Sequence, residues 1–170
     1  MSQRQCAPLL TRLVDQHYAS LYRYAYRLSG SSAEAEDLTQ QTFLAAAVKW
    51  DQLREPDRAK SWLFTILRNQ YLKNVRRESA VGWESLDNVV DSVGEAILDA
   101  DIDSEQLQGV LNELPEEFRS PLILFYFEEF SYAEIAEQLG VALGTVMSRL
   151  SRGKAYLRRR LVGCATANTP

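Results

Sequence analysis

Cysteine occurs only twice in the 170 residues, at Cys6 and Cys164, and histidine only once, at His17. Two thiols near opposite ends form neither a disulfide framework nor a metal cluster, and both read as free and reduced. A lone histidine without Cys or Asp at ligand spacing offers no zinc or triad chemistry, so His17 is expected to cap or pack a helix. A phosphate-cradling glycine loop, an HExxH pair and a GxSxG turn are missing too, so neither catalysis nor a metal or cofactor is expected. The longest apolar run, Pro121 to Phe127, is far short of the roughly 18 residues a membrane helix needs. MSQRQCAPLL lacks the basic start and apolar centre of a secretory signal, which points to a cytoplasmic protein. No stretch alternates Val, Ile or Thr between hairpin turns, no internal repeat is visible, and no tract is of low complexity. With 46% hydrophobic and 25% charged residues, the chain is nevertheless too apolar to be disordered throughout.

Net charge is -4, but its distribution matters more than its sum. Residues 1–77 hold 12 Lys/Arg against 7 Asp/Glu, while residues 78–105 hold nine acids and no base. Residues 106–140 are net -6 and residues 141–170 net +6. Two basic surfaces are therefore separated by an acidic connection. That connection contains Gly82, Gly94 and scattered Ser and Asp with weak apolar periodicity, so it reads as a linker, with a short helix around Ala96 to Leu98. A solvated tether is the plain reading; the functional one is that its acids shield a basic DNA-binding face.

Helical periodicity dominates what remains, and the expected fold class is all-α, as two small helical domains. Leu10, Leu13, Val14, His17, Leu21, Tyr24, Ala25 and Leu28 recur at intervals of three and four before Ser29 and Gly30. Ser31 and Glu34 form a capping-box pattern, followed by the line Ala35, Leu38, Thr39, Thr42, Phe43, Ala46 and Ala47 toward Trp50. Pro56 marks a loop at 51–59, after which Trp62, Leu63, Ile66, Leu67 and Leu72 build a third helix ending at Arg76 and Arg77. Beyond the linker, Leu107, Val110, Leu111 and Leu114 predict a short helix stopped by Pro115, which is itself suited to open the next one. Pro121 either kinks that following helix or shifts its start.

Ser131 and Glu134 make a second capping-box pattern, heading a short helix with Ile135, Ala136 and Leu139 inward and a stop at Gly140. Val141 to Leu143 form a turn, and a long helix is expected from about Gly144 to Leu161, the spacing of a helix-turn-helix. At about 100° per residue, Val146, Leu150, Gly153, Leu157 and Leu161 share a buried sector. Ser148, Ser151, Arg152 and Arg159 face the opposite way, flanked by Met147 and Arg149. Guanidinium forks can pair with guanine O6 and N7, hydroxyls can meet bases or phosphates, and Arg158 to Arg160 can hold phosphates. A solvated basic helix face is the competing reading, and the helix-turn-helix spacing weighs against it.

Four segments taken together, AEAEDLTQQTFLAAAVKW (33–50), SWLFTILRNQYLKNVRR (61–77), LNELPEEFRSPLILFYFEEFSYAEIAEQLGV (111–141) and GTVMSRLSRGKAYLRRRL (144–161), resemble the extracytoplasmic-function (ECF) sigma factors over nearly the whole chain. The resemblance implies a promoter-melting, sigma region 2-like domain at 1–78, an acidic linker at 79–105, a region 4-like helix-turn-helix domain at 106–163 and a tail at 164–170. It implies core RNA polymerase, promoter DNA and an anti-sigma factor as partners. Asp37, Gln40, Gln41 and Leu44 match the polymerase-docking segment, with Gln41 where the family usually has Glu. Trp62 to Arg77 matches the helix and loop that handle the minus-ten element. Asn69 lies at the position beneath the flipped base, Arg68, Lys73, Arg76 and Arg77 are candidates for the strand backbone, and Arg54 and Arg58 sit in the region of the specificity loop. Trp62 reads as core more than as stacking platform, and Lys73 replaces a frequent Asp. Thr145, Met147, Ser148, Arg149, Ser151, Arg152 and Arg159 form the minus-thirty-five set. Phe125 stands where Arg is frequent, and Glu129 where Gly is frequent.

Two other readings compete. A helix-turn-helix regulator would bind its own operator without serving as a sigma subunit, and its N-terminal half would sense or dimerise. A helical adaptor would use an apolar surface over Leu122 to Phe130 to bind protein alone.

Overall fold

The computed structural model describes residues 3–78 and 103–167. The acidic linker, its helix near Ala96 and its shielding role lie outside the described residues, as do the side chains of Cys6, Arg77 and Cys164. The chain divides into two compact units, Met1–Val81 and Gly82–Pro170. Among the described residues there are seven α-helices and no strand. This is the all-α class expected from the periodicity.

In the first unit, α1 (Gln3–Ser29) buries Leu13, Leu21, Tyr24, Ala25 and Leu28 along one stripe. It stops at Gly30, whose φ of 72° is open to a residue without a Cβ. Ser31 then accepts from the Glu34 amide at 3.3 Å to cap α2 (Ser32–Val48), while its own amide donates to Ser29 Oγ at 3.3 Å. The apolar face of α2 includes Thr39 and Thr42, both fully buried, whose hydroxyls donate at 2.7 Å to Ala35 O and Leu38 O. The expected loop at 51–59 contains two 3₁₀ turns, Trp50–Gln52 and Pro56–Arg58, the second leading directly into α3 (Ala59–Glu78). Leu63, Phe64 and Leu67 are fully buried on α3, each worth about 2 kcal/mol of transfer free energy. Tyr24 and Phe64 stack at 4.9 Å between α1 and α3. His17 is half-buried; burial, and then the charge of Lys60, hold its pKa below the ordinary value. It packs within a helix, as its isolation implied.

In the second unit, Asp103 caps α4 (Ser104–Glu113), which buries Leu107, Val110 and Leu111. Pro115 is the N-cap of α5 (Glu116–Tyr126) rather than its first residue, because its ψ of 147° is extended. Pro121 lies inside α5 and does not shift its start. Leu122, Ile123, Leu124 and Phe130 are buried, so the apolar surface required by an adaptor reading is the unit's own core. Glu129 is left-handed at φ 59°. Ser131 and Glu134 close a reciprocal capping box at the head of α6 (Tyr132–Leu139), and Gly140, φ 66°, ends it. Val141 and Ala142 then turn the chain into α7 (Leu143–Ala167), which starts one residue earlier and runs longer than expected. Val146, Leu150, Gly153, Leu157 and Leu161 are all buried, as their common sector required. At Gly153 the helices come so close that a Cβ would lie 2.7 Å from Leu122 Cδ1.

Candidate functional site

One side of α2 carries a stripe of Asp37, Gln41, Leu44 and Val48 at helical spacing, with Gln41 half-buried and the other three exposed. Gln41 Nε2 donates to Asp37 Oδ2 at 2.7 Å, fixing the polar end. Gln40 is exposed beside it. The other end is aliphatic, with Leu44 69% and Val48 85% exposed. A carboxylate and amides running into bare aliphatic groups have the makeup of a protein interface. Val48 was absent from the sequence-derived set, although its i+4 relation to Leu44 is visible in the sequence.

On α3, Asn69, Leu72, Lys73 and Arg76 line a cleft of about 450 Å³. The helix repeat brings an amide and two cations to one face, with the edge of an aliphatic side chain between them. The geometry suits a nucleic-acid base near the amide and phosphates near the cations. Trp62 is half-buried, consistent with a residue chiefly engaged in packing. Arg68 is half-buried, lies about 100° around the helix from Asn69 and is not among the lining residues. Arg54 is exposed between the two 3₁₀ turns, and Arg58 is exposed and pairs with Glu55 at 3.4 Å. Leu72 is the lining residue missing from the sequence-derived set, because its apolar character placed it with the core.

On α7, Met147 is 51% exposed and Ser148 and Ser151 are exposed, with Arg152 half-buried alongside. The Ser148 hydroxyl donates to Thr145 O at 3.0 Å, so it faces outward chiefly as an acceptor. Thr145 is half-buried at the start of this face, and Arg159 is exposed two turns beyond Arg152. Arg149 departs from this face: its side chain is 23% exposed and pairs with Glu117 of α5 at 3.5 Å. Arg160 departs as well, donating twice to Glu113 of α4 at 2.7 and 2.8 Å, with Tyr156 OH adding a 2.8 Å bond to the same carboxylate. Those bonds hold the Glu113 pKa below the usual carboxylate range, the Arg160 hydrogen bond being the largest cause. Burial and then Glu113 push the Tyr156 phenol up. Arg160, which the sequence groups with Arg158 and Arg159 as able to hold phosphates, thus ties α7 to α4.

Among the described residues, no group of three or more His, Cys, Asp or Glu is arranged to hold a metal ion, and no helix is long and apolar enough to cross a membrane.

Residues 13–81 match the family model "Sigma-70 region 2" and residues 104–157 match "Sigma-70, region 4". The chain is 41% identical over 157 residues to the ECF RNA polymerase sigma factor SigE of Mycolicibacterium smegmatis, an alignment covering 89% of this chain but 61% of that protein. It is 35% identical to the ECF RNA polymerase sigma factor SigL of Mycobacterium tuberculosis, covering 91% of this chain and 90% of that one. Among solved structures, it superposes with a TM-score of 0.72 and 30% identity on the sigma factor RpoE of Bartonella quintana, determined in complex with the anti-sigma factor NepR, over 89% of this chain and 96% of that one. With two sigma-type modules in this order and end-to-end similarity to SigL, the chain belongs to the ECF sigma factors of RNA polymerase.

Proposed function

We propose that this chain binds core RNA polymerase through the α2 stripe and directs it to promoters by two separate DNA contacts. The Asn69 cleft on α3 receives a base extruded from the minus-ten element, with Lys73 and Arg76 on the adjoining strand. Met147, Ser148, Ser151 and Arg152 on α7 enter the major groove of the minus-thirty-five element, and Arg159 holds backbone phosphate. The chain itself performs no bond chemistry; catalysis belongs to the polymerase in the cytoplasm, and this subunit positions DNA. The domain assignment supported by this reading is 1–78 for polymerase docking and melting and 106–163 for minus-thirty-five recognition, with 79–105 as the tether. An anti-sigma factor is the partner that regulates it, a reading supported by the Bartonella RpoE, determined in complex with the anti-sigma factor NepR.

The observation that carries this reading is the exposed aliphatic end of the α2 stripe, Leu44 and Val48, continuous with Asp37 and Gln41. A regulator bound only to its own operator has no use for such a surface on a helix separate from its DNA reader. The test is reconstitution with core polymerase. The chain is expected to form a stable complex and initiate at a cognate promoter, and Leu44→Asp is expected to weaken that complex by about 2 kcal/mol or more. A chain that protects a single operator equally well with and without polymerase is the operator-binding regulator instead.

A further inference from the structure

The docking stripe on α2 and the cleft on α3 are joined through one side chain to which neither surface assigns a role. Gln70, half-buried on α3, donates from Nε2 to the backbone carbonyl of Gln41 at 3.1 Å. Its Oε1 lies 3.1 Å from Thr42 Oγ1, which donates to it. Thr42 also donates to Leu38 O at 2.7 Å, so one buried hydroxyl proton is shared between a helix carbonyl and the Gln70 amide. Turning the amide round would set Oε1 against the Gln41 carbonyl, two acceptors face to face, so this orientation is the one the site selects. Gln41 in turn holds Asp37 on the exposed face of α2, and the residue before Gln70 is Asn69 in the cleft.

The two helices also bury apolar side chains in the core of this unit, Leu38 and Phe43 on one and Leu63, Ile66 and Leu67 on the other. Apolar packing draws helices together without direction, whereas two hydrogen bonds from a single planar amide set both the rotation and the translation of α3 against α2. Whatever seats α2 then also seats Asn69. We infer that Gln70 is a positioning residue that holds the base-receiving cleft in register with the polymerase-docking helix, so that docking on α2 presets strand capture on α3. This rests on the functional reading above and adds a residue to it.

The test uses the full chain with core polymerase and measures two quantities, affinity for core and capture of a single-stranded minus-ten oligonucleotide by the holoenzyme. Gln70→Met keeps the length of the side chain and removes both bonds. Gln70→Glu keeps the shape and turns a carboxylate oxygen toward the Gln41 carbonyl. Both variants are expected to hold core within about twofold of wild type and to lose strand capture by about tenfold. Thr42→Val, the same size without the hydroxyl, is expected to lose capture in the same direction, while Thr42→Ser retains it. Combined with Asn69→Ala, Gln70→Met is expected to cost less than the product of the two single losses, because both act on one cleft. Unchanged capture in Gln70→Met and Thr42→Val overturns the inference. So does an equal fall in core affinity and capture, which would make Gln70 a general support of the fold. If the wild-type chain fails to bind active core, the sigma reading falls first and this inference with it; if wild type works and the variants match it, only Gln70's role is lost.

Discussion

The N-terminal unit is specified mainly along the length of its helices, with Gln70 as a polar tie between α2 and α3, whereas the C-terminal unit is specified at its turns as well. In the first, α1, α2 and α3 of 27, 17 and 20 residues bury continuous stripes that include Leu21, Tyr24, Leu28, Leu38, Leu63 and Leu67. In the second, helices α4, α5 and α6 are shorter, at 10, 11 and 8 residues, and pack against the 25-residue α7. Their junctions carry directional contacts as well. Arg119, almost wholly buried, donates to Leu114 O at 2.7 and 3.1 Å and to Asn112 O at 2.9 Å, tying off the α4 to α5 turn. The Ser131–Glu134 box sets the start of α6, Gly140 its end, and the Glu113, Tyr156 and Arg160 cluster joins α4 to α7. The difference fits the work proposed for each unit. A docking helix needs a stiff body with one face left bare, whereas a reader of DNA must hold its recognition helix at a defined angle to its supports, which apolar burial alone does not set.

The largest effect that would sharpen this contrast is expected at Arg119. Arg119→Met keeps apolar bulk but leaves the carbonyls of Leu114 and Asn112 without their buried donor. A loss of about 3 kcal/mol is expected, confined to the second unit. Hydrogen exchange on the full chain reads each unit separately: amides of α4, α5 and α7 should lose protection while those of α1 and α3 keep it. Equal loss in both units would break the division. Gly153→Val comes next, at about 2 kcal/mol, since its Cβ would meet Leu122 at 2.7 Å with Phe118 O behind it at 3.5 Å. It tests whether the close approach of α5 and α7 is as tight as the turns that flank it. Denaturant titration followed by the same exchange measurement checks it. Glu129→Gly is expected to act the other way, raising the stability of the second unit by about 1 kcal/mol, because φ 59° strains any residue with a Cβ. A variant that melts no higher than wild type would show that the Glu129 side chain offsets its backbone.

Much of this was legible in the residues alone, and the boundary of legibility follows the same contrast. The stripe on α7 and the stripe on α2 follow from helical spacing, so Val146 to Leu161 and Ala35 to Ala46 fall where periodicity puts them. Capping at Ser131 was readable because the box is local, spanning four residues. The strain at Glu129 was readable only through resemblance, from a residue standing where glycine is frequent. Arg149, Arg160 and Arg119 were not legible in their actual roles. Each is a cation in a basic or amphipathic stretch, and what distinguishes it is a partner outside its own helix: Glu117 for Arg149, Glu113 for Arg160, carbonyls of the preceding turn for Arg119. Gln70 shows the same limit in the first unit, where a polar residue gains meaning only from the α2 carbonyl it meets. Spacing within one helix is written locally, and pairing between helices is not.

The smallest effect expected is also the most direct comparison of the units, because acid should reach them in a fixed order. His17 in α1 has its pKa lowered, by burial first and the Lys60 charge second, so the folded chain favours the neutral ring. As pH falls below the ordinary value of 6.5, the unfolded chain takes up that proton and the folded one resists. Stability present above that value is therefore lost from the first unit as pH falls from it through the lower value His17 has in the fold. Glu113 works in a lower window. Its pKa is lowered by Arg160 and Tyr156, so the stability it lends is present above the ordinary value of 4.5 and is lost only as pH falls through its lower value in the fold. Between neutrality and about pH 5, exchange corrected for its intrinsic pH dependence should show α1 and α3 losing protection while α4 and α7 hold theirs. His17→Gln should remove that early loss without touching the later one. Protection lost first at α4 and α7 would reverse the order and show that the polar ties of the second unit, rather than the half-buried histidine of the first, meet acid first.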